Sequence, residues 1–130
     1  MRTILVALVV AGAACGPAAN GTPPAGGARP KNVTVHDVLT RPELAGTLVA
    51  VNGRCLGYSA PTVAMGAPPV TRSDWQLEEA GEAVWVTGPL VAGCSSTVPA
   101  ERASVIVAEV AQDTVGLGAV RVVRQYLVRR

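Results

Sequence analysis

Apolar and polar residues alternate most clearly between Thr47 and Tyr58, where Val49, Val51 and Cys55 fall on one side of an extended chain. Gly53 sits inside this run, and a glycine at such a position marks a bulge or a sharp bend. A second strand is predicted from Arg72 to Glu78, with Trp75 and Leu77 on one face and Asp74, Gln76 and Glu78 on the other. Glu79-Ala80-Gly81-Glu82 supplies a hairpin turn, and Ala83 to Gly88 returns as a third strand with Val84 and Val86 opposite Trp85. Ser104–Asp113 and Ala119–Val128 are the last two strands, joined through Gly116 and Gly118. The stretch from Ser59 to Val70, with Pro61, Gly66, Pro68 and Pro69, reads as a loop, and Pro89–Arg102 as a longer connector. Ahead of the strands, Thr34-Val35-His36-Asp37 has the form of a capping box with Asp in place of Glu. It opens a short helix through Leu39 that Pro42 limits and Gly46 ends.

Five strands, a bent first strand and a non-hairpin connection between the third and fourth predict an all-β domain. The architecture that fits is a small Greek-key barrel of the oligonucleotide/oligosaccharide-binding (OB) type, with a short N-terminal helix. Closure would remove the exposed sheet edges that a domain this short covers poorly.

A different pattern precedes residue 33. After Met1-Arg2 comes a 12-residue apolar run from Thr3 to Ala14, too short for the roughly 20 residues of a membrane-spanning helix. Small residues Gly12, Ala13 and Ala14 lead into Cys15, the form of a lipoprotein signal peptide cut before an acylated cysteine. Lipoprotein signals usually carry an aliphatic residue where Gly12 stands, so an ordinary secretory cut after Ala13 is the alternative. Both place the mature protein outside the cytoplasm, and the first makes Cys15 its anchor to a bacterial membrane on the extracytoplasmic side. Residues 16–32 are rich in Gly, Pro and Ala and are expected to form a tether of at most ~60 Å. The expected organisation is therefore a signal in residues 1–14, the lipidated cysteine and tether in 15–32, and the folded domain in 33–130.

Export changes the reading of the other cysteines. With Cys15 assigned to lipid, Cys55 and Cys94 are expected to form a disulfide, the alternative being two buried thiols. Metal binding has little support, since His36 is the only histidine and no Cys-x-x-Cys motif accompanies it. No glycine-rich phosphate loop or nucleophile elbow is present, and no cofactor is implied. The chain reads as a non-catalytic protein.

The strings Thr71-Arg72-Ser73-Asp74-Trp75 and Val86-Thr87-Gly88 carry a family likeness. The chain resembles a group of uncharacterised bacterial OB-fold lipoproteins and secreted proteins over residues 33–128. The resemblance implies the fold and carries over no catalytic residue.

OB domains bind ligands on the face of strands two and three and the loops beside it. Tyr58, Arg72, Asp74 and Trp85 are the candidate ligand-binding residues there. Trp85 would stack on a ring that Arg72 or Asp74 hydrogen-bonds. On the structural alternative, Trp75 packs the barrel and Arg72 pairs with Asp74 along one strand face. Nucleic acid is disfavoured, because Arg72–Gly88 sets one arginine against four carboxylates and the whole chain has two Trp and two Tyr. Expected partners are the membrane, through the lipid anchor, and an envelope protein, a glycan or a small molecule. The runner-up functions are nucleic-acid binding and a purely structural envelope role.

Overall fold

A computed structural model of the chain describes residues 29–57, 61–95 and 97–130. The signal segment, Cys15, the tether through residue 28 and Tyr58 lie outside the described residues. The elements in chain order are β1 (Lys31–Val33), α1 (Val35–Thr40), a 3₁₀ turn (Pro42–Leu44), β2 (Leu48–Cys55), β3 (Trp75–Glu79), β4 (Glu82–Thr87), β5 (Ser104–Leu117) and β6 (Val120–Val128). The described residues are all-β apart from the short helix and turn, as the alternation predicts, with six strands in one sheet.

The extra strand is β1, three residues placed parallel to β2 with Lys31 opposite Val49 and Val33 opposite Val51. It lies partly within the segment read as tether, so the fold begins at Lys31 and not at Val33. A three-residue strand is too short to carry a period, and its pairing depends on an edge that only β2 supplies.

α1 begins where its capping box predicts. The Thr34 side chain accepts from the Asp37 N–H, and the Asp37 carboxylate accepts from the Thr34 N–H, each at 3.0 Å. Val35 and Val38 are fully buried and pack α1 onto the sheet.

β2 changes partner along its length. Leu48–Gly53 pairs antiparallel with β5, and Arg54–Cys55 pairs antiparallel with β3. The handover falls at Gly53, where an added Cβ would stand 2.6 Å from Leu77 Cγ, so only glycine lets β3 come this close. β3 continues antiparallel to β4, β4 runs parallel to β6, and β6 pairs antiparallel with β5. Hydrogen-bonded neighbours thus lead from β2 through β3, β4, β6 and β5 back to β2.

The core lies on the inner face of this ring. Val49, Val51, Trp75, Leu77, Val84, Val86, Ile106, Val110 and Leu127 are at most 2% exposed and belong to one cluster. Each buried side chain of this size contributes roughly 1.5–3 kcal/mol of transfer free energy. Cys55 and Cys94 are joined by a disulfide across 39 residues, which ties the connector after β4 to the end of β2.

Several strand boundaries depart from expectation: β2, predicted through Tyr58, ends at Cys55, β5, predicted to Asp113, runs on to Leu117, and β3 starts late. The sequence predicts β3 from Arg72, but it starts at Trp75. Residues 71–74 form a turn in which the Asp74 N–H bonds the Thr71 carbonyl at 3.1 Å. The Asp74 carboxylate accepts from the N–H groups of Val70 and Thr71 and from the Thr71 hydroxyl. Asp and Thr offer the backbone a local alternative to the ladder, and here that alternative wins.

Candidate functional site

The two tryptophans face opposite sides of the sheet. Trp75 is in the core and donates its indole N–H to the Gly88 carbonyl at 3.1 Å. Trp85 lies on the outer face, in a second apolar cluster with Ala64, Ala83 and the half-buried Tyr126.

That outer face is roofed by residues 61–66 of the long β2–β3 loop, and three adjacent strands each supply an anchor. From β3, Gln76 accepts from the Val63 and Ala64 N–H groups at 2.7 and 2.8 Å and donates to the Pro61 carbonyl at 3.2 Å. From β4, the Trp85 indole N–H donates to the Gly66 carbonyl at 3.2 Å. From β6, the Arg124 guanidinium donates to the Met65 carbonyl and grips Asp113 of β5 through two bonds, at 2.8 and 3.0 Å. Gly66 has φ +76°, and a Cβ there would sit 2.6 Å from Val115 Cγ2, so the roof can settle this low only with glycine.

Beside Trp85 a slot opens. The β4–β6 ladder is registered at Val86 with Leu127 and at Thr87 with Val128, and no pairing is found toward the starts of the two strands among the described residues. A pocket of about 300 Å³ occupies that place, between residues 81–85 on one side and 123–125 on the other. The roof residues Val63 and Met65 and the helix residue Leu39 border it. Its polar wall groups are Glu82, Arg124 and Gln125. Glu82 is 2.9 Å from the Nδ1 of His36, an exposed residue on α1. Gln125 donates to the carbonyls of Val38 and Arg41, and its Oε1 accepts from Gln112.

The candidate residues from the sequence are only partly brought together. Trp85 lines the slot but is 5% exposed, with its N–H already bonded. Asp74 is fully buried with its carboxylate committed to the 70–74 turn, and Arg72 is exposed in the same turn. Neither lines the slot, and the two do not share a strand face. Tyr58 and Cys15 lie outside the described residues. The residues that shape the site but were not among the candidates are Gln76, Arg124 and Gln125. Gln76 and Gln125 left no mark in the sequence beyond their polar character, and Arg124 reads there as one of several C-terminal arginines. Among the described residues no group of three or more His, Cys, Asp or Glu is placed to hold a metal ion.

Comparison of the chain with protein-family models, with curated proteins and with solved structures returns no match.

Proposed function

We propose that this chain is an exported, lipid-anchored envelope protein whose β domain is a non-catalytic binding module of OB type, with the slot beside Trp85 as its ligand site. The observation that carries the reading is the Cys55–Cys94 disulfide. It belongs to an oxidising compartment, and it pairs two of the chain's three cysteines with each other, so that Cys15, at the end of the apolar run, is the odd one of the three. An acylated Cys15 with two or more chains would hold the domain stably on a membrane surface.

The OB assignment, and with it the likeness to bacterial OB-fold lipoproteins, draws support from the ring of pairings β2–β3–β4–β6–β5–β2. With β1 set aside, β3 and β4 are the second and third strands of a five-strand barrel. The slot then lies on the third strand beneath the loop between the first and second, within the region that OB domains use for ligands. Its lone arginine is neutralised by Asp113, which favours a ligand other than a phosphate backbone.

The test is the mass and membrane partitioning of the protein in its native host, wild type against Cys15→Ala. An acylated Cys15 and a soluble variant are expected. An unmodified, soluble wild type would replace anchoring with simple secretion, and an uncleaved cytoplasmic chain would overturn the reading.

A further inference from the structure

We infer that the slot takes a single uncharged aliphatic chain, an inference that rests on reading this domain as a binding module. Every polar side chain in its wall already has a partner. Glu82 is paired with His36, Arg124 with Asp113 and the Met65 carbonyl, and Gln125 with two carbonyls of the α1 region and Gln112. A charged ligand group would have to compete with one of these pairs for its side-chain partner.

The apolar wall is in the opposite condition. Leu39, Val63, Met65 and Val123 are 37%, 54%, 45% and 63% exposed around the opening, so an apolar guest removes their surface from water. A planar ring finds little to stack on, because Trp85 is 5% exposed. The volume of about 300 Å³ is at the lower end for ligand pockets, which fits one chain and not a two-chain lipid inside it. The roof is fixed by Gln76, Trp85 and Arg124, so the slot exists before the ligand arrives.

The chemistry is that of an alkyl chain, whether carried by a free small molecule or by an acyl group, including the one proposed on Cys15. The probe is a homologous series of terminally brominated alkanols, read by heavy-atom quenching of Trp85 in the full chain carrying Cys15→Ala. Trp75, inside the core, supplies an unquenched background. Quenching is expected to saturate, and affinity to rise roughly fourfold per added methylene until the chain outgrows the slot. Val123→Asp and Val63→Asp, both at exposed positions, should each weaken binding by about tenfold or more while near-ultraviolet circular dichroism is unchanged. If the acylated wild type resists alkanols that the Cys15→Ala chain binds, the occupant is the protein's own acyl group. Equal binding by both assigns the slot to a free ligand.

Affinity that ignores chain length, or quenching untouched by both variants, would overturn the inference. So would a concentration-dependent dimer that Val123→Asp dissolves, since a second copy would then fill the slot. The anchor stands or falls separately: acylation without alkanol binding removes only this inference, and alkanol binding without acylation removes only the anchor.

Discussion

Ala80 has φ +51° in the two-residue turn between Glu79 and Glu82, followed by Gly81 at φ +82°. Two successive positive φ values define the hairpin turn whose hand suits twisted strands, and its favoured sequence is Asn-Gly. Alanine in the left-handed region costs roughly 1–2 kcal/mol that asparagine largely avoids. Ala80→Asn should therefore stabilise the domain by about 1 kcal/mol, a rise of about 4 °C or more in the melting midpoint. An unchanged midpoint would mean that the turn relaxes to another conformation. Asp37 supplies a prediction of a different kind. Its carboxyl is held below the ordinary value of 3.8, chiefly by the hydrogen bond from the Thr34 backbone N–H. A carboxylate depressed in the folded state contributes stability that is present above pH 3.8 and is lost as pH falls through its lower folded value. Asp37→Asn keeps an acceptor but loses the charge, so its stability deficit should shrink as pH drops below that range. Denaturant titrations of both proteins across acid pH decide it, and a deficit that widens on acidification would reverse the sign.

Among the elements, the roof over Trp85 is the one whose strength can be traced to a single side chain. Gln76 is 1% exposed and satisfies three backbone groups of residues 61–64. Gln76→Leu fills similar space but leaves those groups without a partner, at a cost of about 3 kcal/mol if they stay buried. If instead the roof opens, the global cost is smaller, and the Val63 and Ala64 amides should exchange with solvent much faster while Leu77 and Val86 stay protected. Unchanged exchange at Val63 and Ala64 would show that other contacts hold the roof. The sequence could not reveal this role. Alternation places Gln76 on the outward side of β3, and outward polar residues ordinarily meet water. Only the fold brings a loop fifteen residues upstream across it. Arg124 was hidden in the same way among C-terminal arginines, since its partner Asp113 becomes a neighbour only through the β5–β6 register. Where period and local chemistry agree, as in the alternation of Val49, Val51 and Cys55 or the Thr34–Asp37 box, the sequence reading and the structure coincide. At Thr71–Asp74 they compete, and there the strand was extended too far.

At the scale of the whole molecule, the decisive contacts are those that bring distant parts of the chain to β2. β1 reaches it from one end of the domain and β5 from the other, and the connector before β5 must deliver Ser104 beside Gly53. Period-two patterning finds strands but does not say which strand is whose neighbour, so the parallel β4–β6 pairing and the added β1 had no sequence signal. Cysteine parity did carry long-range information, because it joined Cys55 to Cys94 without any knowledge of the sheet. That bond closes a 39-residue separation and should contribute roughly 3–4 kcal/mol by restricting the unfolded chain. Against a total stability of about 5–15 kcal/mol for a domain of this size, its removal should be severe. The Cys55→Ala/Cys94→Ala double variant is expected to lose about that amount in denaturant unfolding, with a steeper slope because its unfolded state is more open. The connector has other ties: the Ala100 N–H bonds the Cys55 carbonyl at 2.9 Å, and Arg129 donates to the carbonyls of Pro89 and Leu90. These act in the folded state only, whereas the disulfide acts on the unfolded chain. A double variant as stable as the parent would therefore mean that the unfolded chain already keeps the connector near the end of β2, and the contribution assigned to the cross-link would have to be withdrawn.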